Sequence, residues 1–581
     1  MPLKIVVLGG YGIFGGRLCQ LLAGDSHVAL FVAGRNLHMA QEFCQTLPAG
    51  AQRTPVHFDR NQELAKQIQQ LQPDLFIDAS GPFQSYGTDS YRLVRACLDH
   101  GVNYMDFADG SDFVNGIHQF DELARSKNLF VLSGVSSFPV LTAAVVRHLA
   151  RDLRQVNAIR GGIAPSPFAV VGLNVMRAIS AYAGKPVSIT RHGQRTTAYA
   201  LTEGMRYTIG PPGRLPLNNV YFSLVDVPDL QVLPELWPGL HDVWMGAGPV
   251  PEVLHRLLNA LAWLVRLRLL PSLKPFAWLF LHAQAMLRWG EHRGGMFVEI
   301  DGIGQDGGHV TRSWHLLAEG DDGPYIPCLA LDALVQRALD GKIPAAGARP
   351  AAQDLELSDY EALFKRRTIY TGLHETALDD TSASIFKTLL GNAWATLPAP
   401  IREVHDSAGD VRLSGVATVE RGKGHLAKVI ARLFGFPQEG KGITVEVLMS
   451  KSGKHETWRR TFGDRSFSSV LAAGEGRAAK LLLERFGPLT FHIALVVDNG
   501  KLRYVVRNWK FLRIPLPRSW APHGESYESS KNGSFGFDIE IRHPLVGPIV
   551  TYAGVLAIAK SEHAKKNAAS TKADAAQEGD V

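Results

Sequence analysis

The sequence predicts an α/β protein in three parts: a doubly wound parallel sheet, then an α+β domain, then a mostly antiparallel β domain. Three observations predict this. The apolar run Ile5-Val6-Val7-Leu8 reads as a buried strand that breaks into glycines and restarts as a helix near Phe14. Strand-like and helix-like segments then alternate as far as Leu149. Beyond Val411, strand-like runs follow one another with glycine-rich or charged turns between them.

A chain of 581 residues is too long for one core and implies several domains. Hydrophobic content of 46% with 20% charged residues is that of a soluble globular protein. A net charge of +6 over this length is mild. It suits an anionic cofactor or a membrane surface, and it sets no expectation of nucleic-acid binding. Cys19, Cys44, Cys97 and Cys328 have no metal-ligand spacing, so reduced cysteines and no metal site are expected. The chain enters a strand at once, which gives no sign of a signal peptide and fits a cytoplasmic, at most membrane-peripheral, location.

The first domain, 1–152, carries Gly10, Gly12 and Gly15 as G-x-G-x-x-G between a strand and a helix. This is the dinucleotide-binding fingerprint of a Rossmann sheet. One glycine permits the tight turn, the next lets backbone approach a pyrophosphate, and the third lets helix pack on strand. Tyr11, Ile13 and Phe14 complete the loop, whose N–H groups and helix dipole face the phosphates. The second strand, His27 to Ala33, ends in Gly34-Arg35-Asn36 with no acidic residue to hold a ribose 2′-hydroxyl. Arg35 can pair with a 2′-phosphate instead, so NADP is expected over NAD. Asp59, ending a short third strand, is placed to border the adenine. The fourth strand, Asp74 to Ala79, runs into Ser80-Gly81-Pro82, expected to line the cofactor crevice. Asp106 and Asp109, at the end of the next strand, are the candidate proton or substrate groups, with helix capping as the alternative. Tyr86 and Tyr104 lack the lysine four residues on that short-chain dehydrogenases use.

LGGYGIFGGRL, VAGRN, IDASGPFQSYG and NYMDFADG together resemble the saccharopine dehydrogenase-like family, in its NADP-dependent oxidoreductase branch. HRGGMFVEIDG, WHLLAEGDDGPYIP and GARP resemble the second domain of such proteins. The resemblance implies a nicotinamide-binding fold with a mixed-sheet second domain, and cofactor contacts at Gly10, Gly12, Gly15, Arg35, Ser80 and Gly81. It does not imply saccharopine as the substrate.

The second domain, 153–370, is expected to be a substrate or dimer domain built on an antiparallel sheet, with Arg160-Gly161-Gly162 and Pro165 to Ser180 facing the cleft. Residues 252–290 are rich in Leu and Trp, but Arg266, Arg268, Pro271, Lys274 and Pro275 break them. They read as two amphipathic helices that either pack on the protein or a second subunit, or lie on a membrane surface. Glu291, His292, Glu299, His309 and His315 are polar candidates whose ordinary role is structural.

A third module, 378–558, resembles a bacterial domain of unknown function found behind saccharopine dehydrogenase-like domains. Around seven strands suggest a barrel or curved sheet. Trp458, Phe462, Phe467, Phe486, Trp509 and Phe511 could fill it or line a cavity for an apolar ligand, and at most one of Arg459 and Arg460 faces inward. Residues 559–581 read as a disordered tail.

The leading expectation is an NADP-dependent oxidoreductase acting on a small molecule, an apolar one included, with a homodimer among the expected assemblies. The alternative is a lipid- or isoprenoid-binding protein of the membrane surface, with the nucleotide domain as scaffold or sensor.

Overall fold

The first sheet begins with β1 (Leu3–Leu8), and its side chains show why the run is apolar throughout. Ile5 and Val7 point into one core with Leu18, Leu22, Leu30 and Val32. Val6 and Leu8 point into a second core with Phe58, Phe76, Leu93 and Tyr104. A strand buried on both faces has no polar side to show. In this computed structural model, residues 2–170, 172–377, 384–406 and 409–559 are described. The expected module start near Leu378 and nearly all of the expected tail lie outside them.

The chain divides into two compact units, 1–209 with 219–378, and 210–218 with 379–581. In the first unit β2 (Val28–Gly34), β3 (Gln52–His57), β4 (Leu75–Asp78), β5 (Asn103–Asp106) and β6 (Phe130–Ser133) join β1 in a parallel sheet. With β15 (Gly347–Pro350) at one edge, its order is β15-β6-β5-β4-β1-β2-β3. The edge strand β15 is the GARP segment, which returns from far along the chain to pair with β6. The order reverses direction between β1 and β4, and ligands of such sheets bind at that switch point beyond the strands' carboxyl ends.

The second sheet is mixed rather than purely antiparallel. It comprises β7 (Leu153–Ala164), β10 (Gly204–Ile209), β11 (Leu217–Leu224), β12 (Asp242–Ala247), β13 (Arg293–Gly304), β14 (His309–Glu319) and β16 (Ile369–Ala377). β12 runs parallel to β7, while β13 and β14 are antiparallel to their neighbours. A separate hairpin is formed by β8 (Pro186–Arg191) and β9 (Gln194–Tyr199). Segment 252–290 does form two helices, Glu252–Arg266 and Ala277–Met286. None of the described helices is long and apolar enough to cross a membrane.

The second unit holds β17 (Val411–Arg421), β18 (Gly440–Ser452), β19 (His455–Phe462), β20 (Arg465–Ala473), β21 (Leu482–Phe486) and β22 (Leu489–Asp498). They are followed by β23 (Lys501–Phe511), β24 (Ile514–Leu516), β25 (Ser526–Lys531), β26 (Ser534–His543) and β27 (Gly547–Ile558). β17 pairs with β27 and β22 with β23, so ten strands close into an antiparallel barrel and β24 hangs on β23. The turn at Asn499-Gly500 has φ of 48° and 72°, the left-handed pair that a tight hairpin requires.

Candidate active site: a nucleotide crevice in the first unit

The turn that leaves β1 is made by Gly9, at φ 77°, one residue before the motif read from the sequence. A Cβ there would lie 2.8 Å from the Ala79 carbonyl oxygen. The Gly12 N–H donates to the Gly9 oxygen at 2.8 Å, and Gly12 caps the helix Ile13–Leu22 in an extended conformation. A Cβ on Gly15 would lie 2.2 Å from that same Gly9 oxygen, so only glycine lets the helix ride over the loop. The first-turn N–H groups of Ile13, Phe14 and Gly15 have no acceptor within the helix, and they carry its positive end.

Tyr11 crosses to β2. Its ring covers Gly34, where a Cβ would meet ring carbons at 2.5 Å, and its hydroxyl accepts from the Asn36 N–H at 3.0 Å. The Asn36 side chain accepts from the Met39 N–H and caps the next helix. Arg35, between them, is exposed and has no hydrogen bond or ion pair to any described residue. A cleft of about 550 Å³ opens over this loop, lined by Tyr11, Gly12, Ile13, Phe168, Val170 and Tyr325 among others.

At the end of β4 the buried Asp78 organises the neighbouring loop. Its Oδ1 accepts from the Ser80 N–H at 2.9 Å and from Ser80 Oγ at 2.6 Å. Its Oδ2 accepts from the Tyr86 hydroxyl at 3.1 Å. Burial first, and then the negative Asp78, push the Tyr86 phenol far up, so it stays a donor. The Arg60 guanidinium lies 3.0 Å from the Tyr86 ring centroid. The Gly81–Pro82 peptide is cis.

The opposite wall comes from the second domain. A Cβ on Gly172 would lie 2.8 Å from Ile13 Cδ1, and Asn174 Nδ2 donates to the Gly81 carbonyl at 3.0 Å. Asp109 opens to solvent in this crevice while protein surrounds it; burial raises its carboxyl above the ordinary range, against the pull of a 2.9 Å bond from Gln84. Asp226 accepts from Ser111 Oγ at 2.6 Å and is also raised by burial. Burial and the charges of Asp109 and Asp226 raise the Tyr182 phenol.

Residues 5–132 match the model of the saccharopine dehydrogenase NADP binding domain, and residues 397–556 match a domain of unknown function, DUF4166. The chain thus carries the saccharopine dehydrogenase NADP binding domain in its first part and DUF4166 in its last. Among solved structures, saccharopine dehydrogenase (L-Glu forming) from Saccharomyces cerevisiae is 14% identical over 64% of this chain and 100% of its own, with a TM-score of 0.46. Biliverdin reductase from Synechocystis sp. PCC 6803, in complex with biliverdin and NADP+, is 13% identical over 59% of this chain and 93% of its own, at 0.29. A probable dehydrogenase from Thermotoga maritima is 9% identical over 59% and 91%, at 0.31. No curated protein sequence matches the chain.

Within the first unit the expected site residues separate. Gly10, Tyr11, Gly12, Ile13, Phe14, Gly15, Gly34, Arg35 and Asn36 come together at the carboxyl ends of β1 and β2. Ser80 sits in the same crevice, but its hydroxyl is spent on Asp78 and Tyr86 (2.8 Å), which leaves the backbone of Ser80-Gly81-Pro82 to meet a ligand. Asp59 turns its carboxylate to the Asn61 N–H and Gln62, capping a local turn. Asp106 does not reach the crevice. It is fully buried, and its Oδ1 takes the N–H of Ala108 and Gly134 and the hydroxyl of Ser133 at 2.8–3.0 Å. Arg160 pairs with Glu299 and Asp301 on the second sheet, and Gly161 and Gly162 pack on Met245 and Phe297 there. Glu299 also accepts from Tyr207, and His315 is buried beside Ser313. No group of metal ligands occurs among the described residues. Gln84, Asn174, Tyr182 and Asp226 escaped sequence reasoning, although 165–180 was expected to face the cleft.

Proposed function

We propose that this protein is an NAD(P)-dependent oxidoreductase that prefers NADP(H) and acts on a small apolar substrate. The single observation that carries the reading is the phosphate cradle at the switch point. Glycines there exclude Cβ atoms, first-turn helix N–H groups lack acceptors within the helix, and the exposed Arg35 has no partner among the described residues. These residues fit a dinucleotide: Gly12 to Gly15 would hold the pyrophosphate, and Arg35 a 2′-phosphate through paired, charge-assisted hydrogen bonds. The bound cofactor supplies hydride chemistry. The chain supplies orientation, through the Asn174–Gly81 bond that fixes the crevice loop. It also supplies Asp109, a carboxyl that burial raises and that Gln84 holds in place, as the candidate proton-transfer group.

An apolar substrate is favoured by the surface of the two helices after Pro251. Leu257, Trp263, Trp278 and Met286 are 42–82% exposed there, and Arg268, Lys274 and Arg288 are exposed among them. That composition suits a surface-bound helix pair at an anionic membrane. Helix Ala277–Met286 packs on helix Leu173–Tyr182, which reaches the crevice through Asn174 and Tyr182.

Calorimetric titration of wild type and Arg35→Asp with NADPH and NADH tests the preference. The expected result is a loss of about tenfold or more in NADPH affinity in the variant, with NADH affinity retained. Equal affinities for both nucleotides in both proteins would remove Arg35 from the account.

A further inference from the structure

The closed barrel of the second unit holds a void. Eight strands leave an interior that side chains fill or that takes one small ligand, and ten strands make a wider one. The void measures about 730 Å³, within the ~300–1,000 Å³ of small-molecule sites. Its wall is the inward row of each strand. On β19, Trp458, Arg460 and Phe462 point in while Arg459 points out. Phe467, Phe486, Phe537 and Tyr552 continue the wall on other strands. Trp509 and Phe511, which were expected to join them, do not: Trp509 donates to the Pro517 carbonyl and Phe511 is 43% exposed.

Two polar clusters interrupt this apolar wall. Arg460 donates to Ser469 Oγ at 2.9 Å and to Glu484 Oε1 at 3.3 Å, and Ser469 donates to the same oxygen at 2.7 Å. Elsewhere Glu528 accepts from Tyr504 at 2.8 Å and lies 2.7 Å from His405 Nε2. His405 is buried and stacked on Phe386. Both of these carboxylates are therefore already engaged by protein donors, and farther along the lining Glu525 pairs with Arg503 and Glu540 with Arg542. The lining offers hydrogen bonds, and the carboxylates in it are engaged with neighbouring protein groups.

We infer that the barrel is a binding site for a neutral, largely apolar molecule bearing a hydroxyl or carbonyl oxygen, of the long-chain or isoprenoid alcohol class. Such a void left empty forfeits packing on every side. An apolar chain restores it, and its oxygen can accept from Arg460 and donate to Glu484. A carboxylate or ammonium ligand would be buried without a free counter-charge, which is costly. The site does not depend on the nucleotide reading.

The test is titration of the full-length protein with all-trans-retinol, followed by ligand fluorescence, with octadecanol and octadecanoate as competitors. The expected result is saturable 1:1 binding, displaced by octadecanol at about tenfold lower concentration than by octadecanoate. Val447→Trp and Met449→Trp each push an indole into the void from β18. Either variant that retains the wild-type circular dichroism and melting temperature should lose about tenfold or more of the affinity while its NADPH titration is unchanged. Absence of saturable binding to wild type, or binding untouched in a folded variant, overturns the site. Preference for octadecanoate overturns the neutral class.

Discussion

Gly15 states the residue-scale argument most simply. Its missing Cβ is what lets the helix cross the Gly9 carbonyl, so Gly15→Ala forces backbone apart at 2.2 Å. The expected outcome is NADPH affinity reduced by about tenfold or more in a folded protein, read by calorimetry. Tyr86 answers to Asp78. Tyr86→Phe leaves a buried carboxylate oxygen without its donor, and the expected cost is about 1–3 kcal/mol in urea unfolding. Asp106 gives a pH test. Burial raises its carboxyl to about 7 despite three hydrogen bonds, and its second oxygen has no partner. An unfolded aspartate titrates near ~3.9, so over the interval between the two the folded chain holds a proton that the unfolded chain has released. The stability from this group is full below the unfolded value and is lost as pH rises through about 7. Asp106→Asn cannot titrate, and its urea midpoint should fall less than that of wild type between about pH 5 and about pH 8. An equal fall in both proteins would show that Asp106 does not titrate in this range.

Elements with a strong local signature were legible; those whose role is set by distant partners were not. β1, its glycine turn and the following helix carry their pattern in adjacent residues. The positive φ fell at Gly9 because in a run of two glycines the motif does not say which one turns. β25 carries no alternation of its own, because its inward residue is the polar Glu528. β27 opens on Gly547-Pro548 and carries Ala553-Gly554 in its middle, which weakens its strand signal. The helices at 252–290 were legible because apolar and cationic residues sit at helical spacing. Their prediction belongs at this scale: Trp263→Ser with Trp278→Ser should reduce flotation with anionic vesicles at least several-fold, and leave NADPH binding unchanged. Flotation equal to wild type would assign those helices another partner.

For the whole molecule, the sequence announced three modules, and the structure ties the first two together more closely than their order suggests. β15 lies over two hundred residues beyond β6 yet completes the first sheet beside it. The crevice is likewise assembled from far along the chain: Asp109 and Gln84 from the nucleotide domain, Asn174, Tyr182 and Asp226 from the next. No motif spacing could reveal that meeting, since it is made by the packing of two sheets on a shared core. The barrel is a separate unit with its own core and its own void, which ten strands and not seven account for.

The central claim is that the cradle at the end of β1 binds a phosphorylated nicotinamide dinucleotide. Titration of the purified full-length protein with NADPH and NADH, followed by nicotinamide fluorescence, tests it directly. The account predicts saturable NADPH binding at one site per chain, with NADH weaker by about tenfold or more. A folded protein that binds neither nucleotide would contradict it.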